Sequence, residues 1–154
     1  MLNKKLSLYL DTSVIGGYFD KEFEQDTRLL FKNIEDGIYD VFISDLTKNE
    51  LEAAPEKVKN LLEDIEYRQI FVTDECEDLA EEYIKENVVG KASKEDCIHI
   101  ATATINNVDV LVSWNFKHIV NIQRIRGYNT INMKNGYRTI DIRSPKEVVI
   151  YELG

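Results

Sequence analysis

A short apolar run near the start of the chain ends at a carboxylate, and this feature constrains the fold more than any other. Leucines at every second position, Leu6, Leu8 and Leu10, alternate with Ser and Tyr side chains that tolerate burial, and Asp11 follows directly. This alternation predicts a buried strand. In an α/β sheet the carboxyl ends of the strands line the crevice where ligands bind, so an aspartate at that position is placed for chemistry.

The rest of the chain alternates between apolar runs and amphipathic stretches. Further strands are predicted at 39–44, 70–72 and 109–113, and 137–142 could form a fifth. Helices are predicted over 23–36, where Gly37 would end the helix, over 55–65 starting at Pro55, over 75–86 and over 97–105. Two further short helices are predicted, one that begins with a capping box at Thr47 and one after Ser144. The glycines at 16 and 17 indicate a bend. Strands that alternate with helices predict βαβ units, hence a mainly parallel sheet covered on both faces. With right-handed crossovers the result is a three-layer α/β/α sandwich.

Composition indicates a soluble globular protein. The length of 154 residues fits a single domain over 1–154 with a proper core, and the apolar (44%) and charged (31%) fractions are ordinary for such a domain. No apolar run approaches the roughly 20 residues that a membrane span needs, and the start of the chain lacks a signal-peptide pattern. Cys76 and Cys97 show no CxxC spacing, so we expect reduced thiols in a cytoplasmic protein without a membrane partner.

Charge is distributed unevenly along the chain. The net charge of −9 argues against a dedicated nucleic-acid coat protein, which would be basic overall. Residues 20–96 contain 23 acidic and 10 basic side chains, whereas residues 115–147 contain seven basic and two acidic ones. This asymmetry suggests a cationic face on an anionic body. The alternative is that both stretches are simply solvated surfaces.

Four oxygen-bearing side chains are expected to meet at one edge of the sheet. Asp11 ends the first strand, and Glu50 lies near the start of the helix after the second strand. Asp96 falls in the first turn of the helix before the fourth strand, and Asn115 comes just after that strand. In βαβ units the carboxyl ends of strands and the starts of the following helices share an edge, so these residues should lie close together.

Three carboxylates at one edge would repel each other unless a cation neutralises them. Ligand sets made only of oxygens suit Mg²⁺ or Mn²⁺, with some coordination positions left to water. Such an ion can hold an attacking water, lower its pKa and bind a phosphate oxygen. The reaction class that this arrangement favours is hydrolysis of a phosphodiester.

These segments together resemble the PIN-domain nucleases, in particular the VapC-like toxin type. The matching pieces are LDTSVI at 10–15, IS at 43–44 leading to EL at 50–51, DCIHIATA at 96–103 and VLVSWNF at 110–116. They occur in the right order over nearly the whole chain. The resemblance implies a PIN-like α/β/α fold and a metal-dependent ribonuclease activity, with Asp11, Glu50 and Asp96 as the acidic residues of the site.

The sequence departs from the family pattern at one position. Many family members have a fourth Asp after the fourth strand, where this chain has Asn115. An amide oxygen can coordinate a metal or orient a water, but it brings no charge. We therefore expect one firmly held ion at Asp11, Asp96 and Glu50, with a second ion weakly bound or supplied with the substrate.

Each of these residues also has a purely structural interpretation. Asp11 can cap the turn that follows it, because Asp is a good N-cap. Glu50 follows Thr47, and Asp96 follows Ser93, by three residues, so both fit capping boxes. The residue at 115 is either a turn former or a ligand.

Further residues are expected to bind the substrate. Thr12 and Ser13 can hydrogen-bond a carboxylate or a phosphate, or simply start a helix. In the basic stretch, RNA would contact Lys117, Arg124 and Arg126. By contrast, His99 is expected to pack or orient rather than ligate, and Trp114 and Phe116 to hold their loop in the core.

The sequence thus predicts a Mg²⁺- or Mn²⁺-dependent endoribonuclease that acts as the toxin of a toxin–antitoxin pair. Its partners would be RNA, a small antitoxin with a basic tail that binds the acidic body, and a second copy in a homodimer, as is common among proteins of this type. The alternative is a catalytically silent PIN-like module that binds RNA or a protein partner. A phosphatase that forms an aspartyl phosphate is disfavoured, because Ser13 stands where a second acidic residue would be needed.

Overall fold

The computed structural model describes residues 4–88 and 94–151, and its centre is a parallel sheet. The strands in these ranges are β1 (Ser7–Leu10), β2 (Asp40–Ser44), β3 (Arg68–Ile70), β4 (Val110–Val112) and β5 (Asp141–Arg143). They form one sheet in the order β3-β2-β1-β4-β5, and every neighbouring pair is parallel. The predicted parallel sheet is therefore confirmed.

Helices cover both faces of the sheet. The α-helices of the described residues are α1 (Thr12–Gly17), α2 (Glu24–Glu35), α3 (Asp45–Leu51), α4 (Glu56–Lys59), α5 (Asp74–Lys85), α6 (Lys94–Ile105), α7 (Ile122–Lys134) and α8 (Pro145–Val148). Buried side chains of α5, α6 and α7 form one core, and those of α1, α2 and α4 form the other. The three-layer α/β/α architecture is confirmed. None of the helices in the described ranges is long and apolar enough to cross a membrane.

The central strand β1 contributes to both cores. Leu8 and Leu10 pack into the core beside α1 and α2, and Tyr9 packs into the core on the opposite face. All three side chains are fully buried, and burying a leucine contributes about 1.5–3 kcal/mol. A slip of one residue would exchange the two faces, so the register of β1 is strongly fixed. This register determines where Asp11 emerges.

Several predicted helix ends are confirmed. Gly37 adopts φ +78° directly after α2, which is the left-handed conformation that ends many helices. At the other end of the chain, Ser144 and Glu147 form the predicted capping box of α8. Pro55 precedes α4, which continues as a 3-10 helix over Asn60–Asp64 instead of extending as an α-helix through Ile65.

The bend predicted at the two glycines is wrong, because both belong to α1. A Cβ atom on Gly17 would lie 2.8 Å from Nε1 of Trp114 and 2.9 Å from Oγ1 of Thr27. The glycine at this position is therefore required by close packing and not by a turn.

The predicted start of the helix after β2 is also wrong. Helix α3 begins at Asp45, because the Ser44 side chain accepts from the backbone N–H of Thr47 and caps the helix. The Thr47 hydroxyl instead donates a hydrogen bond of 3.3 Å to the carbonyl oxygen of Leu10. Glu50 consequently lies in the last turn of α3 and not in the first.

Three further elements differ from the prediction, and one prediction lies outside the described residues. Strand β5 covers Asp141–Arg143 and not 137–142. Strand β3 ends at Ile70, because the N–H of Val72 donates to Asp45 Oδ1 and not to the sheet. Helix α7 was not predicted, since Gly127 interrupts its pattern and packs against Val88. The capping role of Ser93 falls in the segment 89–93, which the structure does not describe.

Candidate active site

The candidate active site lies at the carboxyl ends of β1 and β4. Strands β2 and β3 extend from one side of β1, and β4 and β5 lie on its other side. In open parallel sheets, ligands bind outside the carboxyl ends of the strands where the strand order reverses in this way. Leu10 pairs with Val112, so the residues that follow them, Asp11 and Ser113, are brought together. Ser113 Oγ donates to Asp11 Oδ2 at 2.6 Å.

Asp11 is a buried carboxylate bound by uncharged donors. It is 4% exposed, and its Oδ1 accepts from Ser13 Oγ at 2.6 Å and from the Val14 N–H at 3.2 Å. Burial raises the pKa of Asp11, and the hydrogen bonds from Ser113, Ser13 and Val14 offset only part of this effect. The Val14 contact also makes Asp11 the N-cap of α1. The capping interpretation of Asp11 is therefore correct, and capping leaves the carboxylate at the site.

Glu50 reaches from the last turn of α3 to the start of α1. Its Oε1 accepts from Thr12 Oγ1 at 2.5 Å and lies 2.7 Å from His99 Nε2. Burial raises the pKa of Glu50, but the hydrogen bonds from His99 and Thr12 outweigh it, so this pKa lies below its usual value. Glu50 is thus an anion with one oxygen held by two donors.

Behind Glu50, a chain of buried hydrogen bonds runs into the core. His99 Nδ1 lies 2.5 Å from Tyr9 Oη, and Tyr9 Oη lies 2.7 Å from Ser44 Oγ. Tyr9 and Ser44 are fully buried, and His99 is 3% exposed. Burial raises the pKa of Tyr9 well above its usual value, so its hydroxyl stays protonated. Tyr9 and Ser44 were not among the site residues predicted from the sequence.

Asp96 and Asn115 form a second pair at the same edge. Asp96 lies in the first turn of α6, and Asn115 Nδ2 donates to its Oδ2 at 3.3 Å. His118 Nδ1 lies 3.7 Å from that same oxygen. The amide oxygen of Asn115 accepts from the backbone N–H of His118 at 3.0 Å, which closes the turn after β4. Asn115 is therefore a turn former and a partner of Asp96.

Ser113 connects Asp11 with this second pair. Its Oγ donates to Asp11 and accepts from the backbone N–H of Asn115 at 2.9 Å. The position of Ser113 at the carboxyl end of the predicted strand 109–113 was the sequence signal that could have identified it. Within residues 4–88 and 94–151, no three Asp, Glu, His or Cys side chains are already arranged as a metal site. Holding an ion with three of these groups would require side chains to move.

Comparison with known proteins identifies the family. The family model described as the PIN domain matches residues 8–116, which run from β1 to the turn after β4. The chain belongs to the PIN domain family. No curated protein matches the chain.

Solved structures share the fold of this PIN domain. One of them is the crystal structure of VapBC2 from Rickettsia felis bound to a DNA fragment from the VapBC2 promoter. It aligns with a TM-score of 0.52 and 16% identity over 90% of this chain and 98% of that chain. FitAcB from Neisseria gonorrhoeae aligns with a TM-score of 0.61 and 14% identity over 92% of this chain and 99% of that chain. At such low identity the likeness shows the fold alone.

The residues predicted to bind substrate occupy different environments in this PIN domain. Thr12 and Ser13 both donate to carboxylates of the site. Lys117 and Arg126 are exposed, whereas Nη1 of Arg124 donates to the carbonyl oxygen of Val88 at 2.5 Å. Lys117 and Arg126 therefore remain accessible to a phosphate backbone, and the contact of Arg124 with Val88 ties it to the end of α5.

An aromatic cluster holds the turn after β4. Phe23 stacks on Trp114 with ring centroids 4.2 Å apart, and Nε1 of Trp114 donates to Thr27 Oγ1 at 2.9 Å. Phe116 packs edge-on against Trp114 but keeps half of its surface exposed. Trp114 is thus held in the core, while Phe116 is only partly covered.

Proposed function

We propose that this PIN domain, taken as a single domain over 1–154, is a Mg²⁺- or Mn²⁺-dependent endoribonuclease. It would hydrolyse RNA phosphodiester bonds in the cytoplasm as the toxin of a toxin–antitoxin pair. Asp11, Glu50, Asp96 and Asn115 would form its catalytic and metal-binding set. Membership of the PIN domain family supports the nuclease class, since nucleases are typical of this family.

The observation that most supports the proposal is the state of Asp11. This carboxylate is buried at the switch point of the sheet, burial raises its pKa, and no Lys or Arg side chain of the described residues pairs with it. A buried anion without a charged partner is unfavourable, and a divalent cation would remove that penalty. The carboxylate oxygens of Asp11, Glu50 and Asp96 are ligands of the kind that Mg²⁺ and Mn²⁺ prefer. The residues therefore fit the ion in chemistry, although they are not yet arranged around it.

The chain itself would orient the ligands and the substrate. Ser13 and Ser113 each donate a hydrogen bond to one oxygen of Asp11, and the amide of Asn115 donates one to Asp96. A bound Mg²⁺ or Mn²⁺ would lower the pKa of an attacking water and offset charge on the phosphate. Lys117 and Arg126, which are exposed, would contact the RNA backbone as non-specific phosphate binders.

A toxin role would require a partner that blocks the site. The resemblance to VapC-like toxins and the fold shared with VapBC2 and FitAcB support such a role. The acidic side chains of α5, at Glu75, Glu77, Asp78 and Glu81, are exposed and could receive the basic tail of a small antitoxin. We also expect a homodimer. A neighbouring reading frame that encodes a small protein with a basic tail would be the first genetic support for this role.

Cleavage of a labelled single-stranded RNA in Mn²⁺ tests the nuclease proposal. Asp11→Asn and Asp96→Asn should each lose activity by about 10²-fold or more, as expected when a preorganised charged group is removed from a reacting centre. Asp109→Asn is the matched control, because Asp109 binds Ser7 at the opposite ends of the same two strands. If Asp11→Asn cleaves RNA as fast as the wild type, this mechanism is excluded.

The arrangement of Asn115 favours a second candidate, a catalytically silent module that binds RNA or a protein. Both polar atoms of its amide already have partners, one in Asp96 and one in the N–H of His118. A silent module would bind RNA without cleaving it at any Mn²⁺ concentration. In the active enzyme, Asn115→Asp should preserve or raise cleavage if position 115 is a ligand, and have little effect if it only forms the turn.

A further inference from the structure

A chain of hydrogen bonds joins Ser44, Tyr9 and His99 to Glu50, which is one of the predicted ligands. Four strands or helices contribute to it, since Ser44 comes from β2, Tyr9 from β1, His99 from α6 and Glu50 from α3. Tyr9 and His99 are 90 residues apart in sequence, and His99 and Glu50 are 49 apart. Each polar atom in the chain contacts the next within 2.5–2.7 Å.

The chemistry of the groups fixes the direction of the bond at Glu50. Glu50 Oε1 already accepts from Thr12 Oγ1 at 2.5 Å, and a carboxylate can only accept. His99 Nε2, 2.7 Å from Oε1, must therefore bear a proton and donate it. On the other side of the ring, Nδ1 lies 2.5 Å from the hydroxyl of Tyr9, and this contact fixes the orientation of the imidazole.

The two donors at Glu50 meet the same oxygen. Thr12 Oγ1 and His99 Nε2 both contact Oε1, and among the described residues no hydrogen bond reaches Oε2. One oxygen is thus held by the protein while the other stays available. Histidine–carboxylate contacts behind a metal site orient the ligands in this way, and losing one typically weakens metal binding or activity by about 10- to 100-fold.

We infer that His99 is a positioning residue that holds Glu50 through Nε2–H, with Tyr9 fixing the imidazole ring, so that Oε2 of Glu50 is presented to a divalent cation. This inference rests on the proposed function, because it assigns Glu50 to that cation. It adds that His99 does not ligate the ion itself. It also adds that the core residue Tyr9 affects metal binding through its contact with His99.

Nitrogen NMR of the ¹⁵N-histidine protein without metal tests the first part. The His99 signals should show a protonated Nε2, with His118→Gln used to assign the two histidines. A spectrum in which His99 Nε2 lacks a proton would overturn the inference whatever the protein's activity.

Mn²⁺ binding by calorimetry tests the second part without any RNA. Tyr9→Phe and His99→Leu should weaken Mn²⁺ binding about 10- to 100-fold, and His99→Gln, which keeps a donor, should retain more of it. Tyr83→Phe is the matched control, because Tyr83 is also fully buried and donates one hydrogen bond, to Asn132, in the same core. Both tyrosine variants should lower the melting temperature similarly, but only Tyr9→Phe should affect Mn²⁺.

The outcomes separate the inference from the proposed function. If Asp11→Asn abolishes Mn²⁺ binding while His99→Leu and Tyr9→Phe bind as the wild type does, the inference is wrong and the proposed function stands. Equal losses in Tyr9→Phe and Tyr83→Phe would likewise overturn the inference, because they would show a general effect of core stability. A wild-type protein that binds no Mn²⁺ would overturn both.

Discussion

Two serine–aspartate pairs bridge β1 and β4, one at each end of the strands, and they differ in burial. At the amino ends, Asp109 Oδ2 accepts from the N–H and the hydroxyl of Ser7 at 2.8 and 3.1 Å. At the carboxyl ends, Asp11 Oδ2 accepts from Ser113 Oγ at 2.6 Å. Asp109 is half-buried, whereas Asp11 is 4% exposed. A serine and an aspartate thus join the same two strands at both ends, in a partly solvent-exposed position at one end and in a buried position at the other.

The difference shows which end of the sheet is suited to chemistry. A half-buried carboxylate that closes a strand pair remains solvated, so the Ser7–Asp109 pair is sufficiently explained by structure. Burial raises the pKa of Asp11, which means that the fold places a carboxyl group where its ionised form is unfavourable. Strongly perturbed carboxylates in a cleft are typical of functional sites. We therefore attribute the burial of Asp11 to function.

The largest expected effect is that Mn²⁺ stabilises the folded protein by binding at the carboxyl ends of β1 and β4, where Asp11 lies, and not at their amino ends. A cation that binds the folded state at 100 times its dissociation constant should raise the free energy of unfolding by about 2.7 kcal/mol. Urea unfolding with and without Mn²⁺ should show this gain in the wild type and in Asp109→Asn. The gain should disappear in Asp11→Asn. An equal gain in both variants would mean that the two ends do not differ in metal binding.

Asp11 could be predicted from the sequence because its position depends on local order. The alternation of leucines in β1 identifies the strand, and the residue after a strand lies at the carboxyl edge. The parallel sheet followed from the same reasoning. The position of Glu50 within α3 was wrong, because two candidate caps, Ser44 and Thr47, lie close together and only the fold shows that Ser44 caps the helix.

The chain behind Glu50 could not be predicted, because it depends on contacts between distant segments. Tyr9 and His99 are both ordinary core residues by their sequence pattern, and nothing local links them. Their hydrogen bond requires the register of β1 and the rotation of α6 to be known together. Helix α7 escaped prediction for a different reason, since Gly127 and the polar residues around it weaken the helical pattern.

A smaller effect is expected from removing the serine of each pair. Ser113→Ala should lower the free energy of unfolding by about 1–3 kcal/mol, because it leaves a buried carboxylate oxygen without its donor. Ser7→Ala should cost only about 0.5–1.5 kcal/mol, because the backbone N–H of Ser7 still binds Asp109. Urea unfolding of both variants measures the difference. Equal losses would indicate that burial does not distinguish the two pairs.

The smallest expected effect is a pH-dependent difference between the wild type and Asp11→Asn without metal. The pKa of Asp11 is raised in the folded state by burial, so its contribution is most favourable below the unfolded value of 3.8 and is lost as pH rises towards the folded value. The pKa of Glu50 is lowered despite its burial, so its contribution is already complete above 4.5. As pH rises above 4.5, Asp11→Asn should therefore gain stability relative to the wild type until the folded-state pKa of Asp11 is passed.

The size of this change is bounded by one proton, which is about 1.4 kcal/mol per pH unit. Urea unfolding in EDTA at several pH values measures it, and saturating Mn²⁺ should reverse it, because the cation stabilises the ionised form of Asp11. A difference between the two proteins that stays constant with pH would show that Asp11 ionises as easily as a solvated carboxylate. The contrast between the two ends of β1 and β4 would then be one of position alone.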